Sequence, residues 1–163
     1  MDGKQAKGVQ THIRGFNSTR DASGVAEILR EAREAASWAE ADLHGLEMLP
    51  GMTAYVSVIA DKICGIVVGR RVLDEAEVLN LAVRPAARRQ GEGSALMSRL
   101  LEELRRNGVS RVFLEVRESN AGAIAFYQRL GFQAVGKRKD YYQDPLESAT
   151  IMERWLKEST DCA

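Results

Sequence analysis

Apolar and polar positions along the 163-residue chain change period several times, and each change marks an expected element. Residues 9–16 alternate as a first strand does. Val25, Ile28, Leu29 and Ala32 then recur at the helical interval, behind Thr19 or Asp21 as the expected N-cap. A second, shorter helix is expected over residues 38–48, stopped by Pro50 and Gly51. Three β-rich stretches follow at 53–60, 63–73 and 75–83. Asp61-Lys62 and Asp74-Glu75 fall where hairpin turns belong, so these strands should pair antiparallel.

The period then lengthens. Leu96, Met97, Leu100, Leu101 and Leu104 form an apolar stripe on a helix over residues 93–106, with Asn107-Gly108 as its stop. A strand is expected at 111–116, a helix at 120–130 ending at Gly131, and two last strands at 132–138 and 148–155 joined by a polar loop. The order is β-α-α-β-β-β-α-β-α-β-β, without repeat, low-complexity segment or linker. It predicts an α/β (α+β) fold: a mixed central sheet of about seven strands with helices on both faces. One domain is expected over residues 9–156, between a polar leader at 1–8 and a tail at 157–163.

Composition narrows the function classes. Apolar residues make up 45% and charged residues 28%, the balance of a globular domain. Lys plus Arg and Asp plus Glu are 23 each, which argues against a general nucleic-acid binder. Cys64 and Cys162 are far apart, and His12 and His44 are the only histidines, so neither a disulfide framework nor a metal site is expected. The first residues lack the apolar core of a secretory signal, and no apolar run approaches the ~20 residues that span a bilayer. The expectation is a cytoplasmic protein without a metal, a nucleic-acid partner or a membrane partner, its oligomeric state open.

The chemistry concentrates in two places. After the strand ending Leu81-Ala82-Val83 comes Arg88-Arg89-Gln90-Gly91-Glu92-Gly93-Ser94, which opens a helix. Glycines let backbone approach a phosphate, the first helical amides have no internal partner, and the dipole and arginines favour negative charge. A pyrophosphate suits such a cradle; a Gly-rich turn with surface arginines is the plainer reading. Leu96 stands where a dinucleotide GxGxxG loop needs glycine, and no Gly-Lys-Ser/Thr triplet is present for a P-loop.

The second place is residues 114–132, with Glu115 in a strand between Leu114 and Val116. A carboxylate there either pairs with Arg117 or another arginine, or becomes a base tuned by its apolar surroundings. Tyr127 either packs in the core or offers its hydroxyl, and Asn120 suits a helix N-cap.

Arg88-x-x-Gly91-x-Gly93 after Leu81-Ala82-Val83-x-Pro85 resembles the acetyl-CoA motif of the GNAT acetyltransferase superfamily, and the element order agrees from about residue 9 to 156. Residues 114–132 resemble the bacterial ribosomal-protein alanine N-acetyltransferase branch. So do 78–83, 37–40, Asp140-Tyr141-Tyr142 and Ile151-Met152. The resemblance implies acetyl-CoA held by Leu81, Ala82, Val83, residues 88–94 and Asn120, on a strand splayed from its neighbour. It further implies Glu115 as general base, Tyr127 as the acid that protonates the departing sulfur, and Tyr141 and Tyr142 beside a peptide acceptor. The implied acceptor is a protein N-terminus, with ribosomal protein as its class. The chain departs from the branch in its leader, in lacking a proline before Trp38 and in a longer loop at Gln143-Asp144-Pro145.

Residue types leave other assignments open. Glu40, Asp42 or Glu47 can attract an acceptor ammonium or be plain solvated acids. Lys137-Arg138-Lys139 can face a ribosome or the CoA 3′-phosphate, or simply end a strand in water. An α-amine is roughly one-fifth neutral at pH ~7.4 and a lysine about one-thousandth, so one carboxylate base suits the α-amine better. The rival functions are a small-amine acetyltransferase (polyamine, amino acid or aminoglycoside) and a non-catalytic CoA-binding module.

Overall fold

The structure of the chain, a computed structural model, describes residues 11–156, so the expected leader, the tail with Cys162 and the start of the first strand at Val9 lie outside the described residues. Its elements are β1 (Thr11–Gly15), α1 (Ser18–Glu31), α2 (Glu40–Leu43), β2 (Met52–Ile59), β3 (Lys62–Val72), β4 (Glu75–Val83), α3 (Glu92–Arg106), β5 (Arg111–Arg117), α4 (Ala121–Arg129), β6 (Gln133–Gln143) and β7 (Leu146–Trp155). The strands make a seven-stranded sheet in the order β1-β2-β3-β4-β5-β7-β6. All neighbours pair antiparallel except β4 and β5, which are parallel. The element order and the mixed sheet agree with the periodicity of the sequence. No helix among the described residues is long and apolar enough to cross a membrane.

Each face of the sheet carries helices. Val25, Ile28 and Leu29 of α1 and Leu43 of α2 bury against Val56, Val58, Ile66, Val68 and Ala82. On the other face the α3 stripe Leu96, Met97, Leu100, Leu101 and Leu104 packs on Val67, Ala76, Val78, Val112, Leu114, Val116 and Met152, and α4 joins it through Ile124, Phe126 and Tyr127. Full burial of each such side chain is worth about 1.5–3 kcal/mol, which is why these stripes fix the layers.

Four details differ from the sequence reading. The α1 N-cap is Asn17, whose Oδ1 accepts from Arg20 N–H at 3.1 Å, rather than Thr19 or Asp21. Asp21 is instead fully buried, at 2.7 and 3.0 Å from the Arg14 guanidinium. Burial pushes its carboxyl up, but hydrogen bonds from Arg14, Arg20 and the Asn17 backbone outweigh that and hold it at about 2. A depressed folded value means that this stabilisation is present above pH ~4 and is lost as the pH falls through the folded value.

The helix expected at 38–48 is broken in two. His44 is extended and Gly45 left-handed at φ 74°, so α2 stops and a 3-10 turn follows at Leu46–Met48. The polar loop expected after residue 138 is strand: β6 runs on to Gln143 as an edge strand exposed on both faces, which needs no apolar alternation and so reads as loop. Within it the register slips, from Arg138 opposite Ala149 to Tyr142 opposite Glu147, and Asp140 takes φ 52°.

The fourth is a bulge in β4. Val68 pairs with Asn80 and Gly69 with Val78, leaving Leu79 extra. Ala76 and Val78 face α3 before it, and Leu81 and Val83 do so after it. A single inserted residue has exchanged the faces of the strand.

Candidate active site

β4 and β5 pair only from Glu75 opposite Arg111 to Glu77 opposite Phe113. Beyond that point the strands run on, β4 to Val83 and β5 to Arg117, without laddering to each other. The sheet is therefore open between Val78–Val83 and Leu114–Arg117, and unpaired β4 backbone faces the gap. This is the splay that the resemblance implied. Ala82 is buried on the α1 side, while Leu81 and Val83 pack on the α3 side.

The Gly-rich loop closes one end of the gap. Pro85–Ala87 form a 3-10 turn, Arg88 Nε donates to Val83 C=O at 3.0 Å, and Gln90 Nε2 donates to Ala86 C=O at 3.2 Å. Gly91 is left-handed at φ 86° and precedes α3, a conformation that a Cβ strains. The first α3 hydrogen bond is Ala95 N–H to Gly91 C=O, so the amides of Glu92, Gly93 and Ser94 come before it. A Cβ at Gly93 would meet the Phe126 ring at 3.3 Å, so glycine is what lets α4 approach the loop. Open backbone amides, two exposed arginines and an adjacent strand gap fit a pyrophosphate with an extended tail, the shape of acetyl-CoA.

Glu92 differs from its loop neighbours. The residue is 5% exposed and its Oε2 has no hydrogen-bond partner among the described residues, so its backbone is the part that can serve a ligand. An unpaired buried acceptor costs about 1–3 kcal/mol, against about 0.3–1 kcal/mol gained from the helix N-terminus. Glu92→Leu is therefore expected to raise Tm by several degrees in a thermal melt, at about 2–4 °C per kcal/mol for a chain of this size. A lower Tm in the variant would mean that the carboxylate has a stabilising partner.

Glu115 lies on the face opposite α3, beside Phe113 and Ile151, in a cavity of about 360 Å³ that Arg70, Glu75, Glu77 and Arg138 also line. Its partner is Arg138, with Nε 2.6 Å from Oε1, not Arg117. Arg117 instead stacks 4.1 Å from the Tyr142 ring and pairs with Glu147 at 3.3 Å. Glu147 also accepts from Ser119 N–H at 2.6 Å, which ties the turn before α4 to β7 and holds its own carboxyl low.

Both expected substrate tyrosines lie near Glu115. Their rings contact edge-on at 5.1 Å. Hydrogen bonding to Glu115, ahead of burial, raises the Tyr141 phenol; burial, ahead of the Glu115 charge, raises that of Tyr142. Tyr127 packs on the α3 side, its ring 5.2 Å from Phe126 and 5.9 Å from Phe132. Burial, with Tyr142 nearby, pushes its phenol up to about 12. Glu115 and Tyr127 thus belong to opposite faces of the sheet, and the open gap is where groups on the two faces can meet. Asn120 caps α4, its Oδ1 accepting from Ala123 N–H at 3.1 Å.

The acidic trio has structural work. Glu47 accepts from Ser18 N–H and Oγ at 2.8 and 2.9 Å, and Asp42 accepts from Ala39 N–H at 2.8 Å. Glu40 is 3.9 Å from His44. In the basic run, Lys137 pairs with Glu118 and Arg138 turns to Glu115. Sequence reasoning misses Arg138 and also Asn80, which is 5% exposed on the open stretch of β4 and donates to Ala36 C=O at 3.0 Å. The one signal for Arg138 in the chain is that a half-buried strand glutamate needs a cation; which one depends on register.

The sequence profile of the Acetyltransferase (GNAT) family matches residues 22–132. The [ribosomal protein bS18]-alanine N-acetyltransferase of Escherichia coli (strain K12) is 46% identical over 93 residues, 56% of this chain and 63% of that protein. The matched stretch thus spans just under two thirds of that relative. The crystal structure of the ribosomal-protein-S18-alanine N-acetyltransferase from Escherichia coli superposes with a TM-score of 0.80 at 32% identity, covering 94% of this chain and 99% of that one. Ard1 from Thermoplasma volcanium gives 0.78 at 30% identity, covering 92% and 100%.

Proposed function

Because the chain belongs to the acetyltransferase (GNAT) family, we propose that it transfers an acetyl group from acetyl-CoA to the N-terminal α-amine of a protein, with ribosomal protein as the acceptor class. The observation that carries this reading is the opening between β4 and β5. It has a carboxylate on one face, a phenol on the other and unpartnered helical amides at one end. A pure binding module has no need of the carboxylate and the phenol.

Bound there, acetyl-CoA supplies an activated thioester carbonyl. The amides of Glu92, Gly93 and Ser94, with Arg88 and Arg89, hold its phosphates, and Asn120 adds a side-chain contact beside α4. Unpaired β4 backbone around Leu81, Ala82 and Val83 lies along its tail and polarises the carbonyl. Glu115, directly or through a water, accepts the proton of the attacking amine. Tyr127 holds the proton that the leaving sulfur takes. Tyr141 and Tyr142 flank the acceptor backbone. Transfer is direct in this reading, neither Cys64 nor Cys162 standing in a nucleophile's sequence context. A cytoplasmic location follows from a ribosomal acceptor.

The test is CoA release with a panel of free N-terminal peptides, N-blocked lysine peptides and polyamines. Turnover confined to free N-termini is expected. Turnover on polyamines alone would overturn the protein-acceptor reading and keep the cofactor reading. Tight acetyl-CoA binding with no turnover on any acceptor would favour a non-catalytic CoA-binding module.

A further inference from the structure

The contact between Glu115 and Arg138 is lopsided. The glutamate side chain is 14% exposed and the arginine 59%. The other cavity carboxylates have arginines of their own: Glu75 pairs with Arg111, and Glu77 is 4.0 Å from Arg70. Arg138 sits where β6 loses register with β7, two residues before the left-handed Asp140, and its guanidinium lies 5.6 Å from the Tyr141 ring. It is thus a largely hydrated cation on an irregular edge strand, reaching over the cavity to one carboxylate.

An amine that arrives protonated is drawn to that same carboxylate. Two cations at one carboxylate share a single negative charge and repel each other, so Arg138 and the ammonium each weaken the other's hold on Glu115. Releasing Arg138 to water costs little, because an ion pair with one well-exposed partner is weak. Resting on the reading that the acceptor amine binds at Glu115, we propose that Arg138 is a built-in competitor of that amine. It is a displaceable counter-ion that fills the acceptor position at Glu115 until the substrate ammonium takes its place. Arg138 is then a specificity element. It screens Glu115 from ligands without a positive charge and yields to one that brings its own.

Calorimetric titration of the CoA-loaded protein tests this with a hexapeptide bearing a free N-terminal alanine and with the same peptide N-formylated. Arg138→Gln is expected to tighten the free peptide about three- to fivefold, the upper scale of a weak ion pair, and to leave the formylated peptide unaffected. Arg138→Lys, which keeps a cation, should restore wild-type affinity to within about twofold. In a Glu115→Gln background, Arg138→Gln should no longer tighten the free peptide.

Unchanged or weaker binding in Arg138→Gln overturns the proposal. So does equal tightening of both peptides, or tightening that persists without the Glu115 carboxylate. Failure of every variant to bind the free peptide overturns the peptide-acceptor reading together with this one. Whether Glu115 takes the proton is decided separately, by turnover of Glu115→Gln, so that reading can fail while the competition stands.

Discussion

Glu115→Gln is expected to lower kcat for N-terminal acetylation about 10²- to 10⁴-fold, the usual contribution of a positioned general base. The amide keeps the shape of the carboxylate but cannot accept the amine's proton. Acetyl-CoA affinity should persist, since Glu115 lies across the sheet from the α3 layer that carries the loop. Folding should persist too: the lost partner, Arg138, is mostly exposed and stays hydrated, so the pair contributes at most about 1 kcal/mol. Turnover numbers beside a thermal melt check both halves. A variant that melts like wild type and keeps kcat within about threefold would remove Glu115 from the mechanism.

Tyr127→Phe is the second large effect, an expected fall in kcat of about 10²-fold, the lower end for a positioned acid. The ring stays, so the edge-on contacts to Phe126 and Phe132 survive and Tm should move little. The sign of the pH dependence is determined by the shift. A phenol raised to about 12 stays almost wholly neutral up to pH ~10, so its proton is available throughout pH ~6–10 and Tyr127 adds no basic limb there. A pH–kcat profile of wild type against the variant should therefore show a uniform vertical drop. The defect should also shrink with an acetyl donor whose thiol is more acidic, because that leaving group needs less help. A loss of similar size for every donor, with a lowered Tm, would make Tyr127 a packing residue.

Much of the site is legible in the chain itself. Gly91 and Gly93 belong to a loop with free amides because a helix start and a close backbone approach both depend on local chain geometry. Asn120 is legible as a cap for the same reason, and its Oδ1 does cap α4. Asn17 is not, since Ser18, Thr19 and Asp21 beside it are equally good capping types and the choice goes with the burial of Asp21 against Arg14. The edge strand β6 reads as loop past residue 138 for a different reason: with water on both faces it carries no alternation.

Sequence alone determined the element order, the two helical layers and the residue types at Glu115, Tyr127 and the Gly-rich loop, since periodicity and local chemistry are written along the chain. Only the tertiary structure decided that β4 and β5 part after Glu77 and Phe113, that a bulge at Leu79 exchanges the faces of β4, and that Arg138 rather than Arg117 meets Glu115. The parting and the ion pair depend on how strands distant in sequence meet, and the bulge on register within the β3–β4 hairpin. A shift of one residue there reverses every side chain, and no local pattern encodes it.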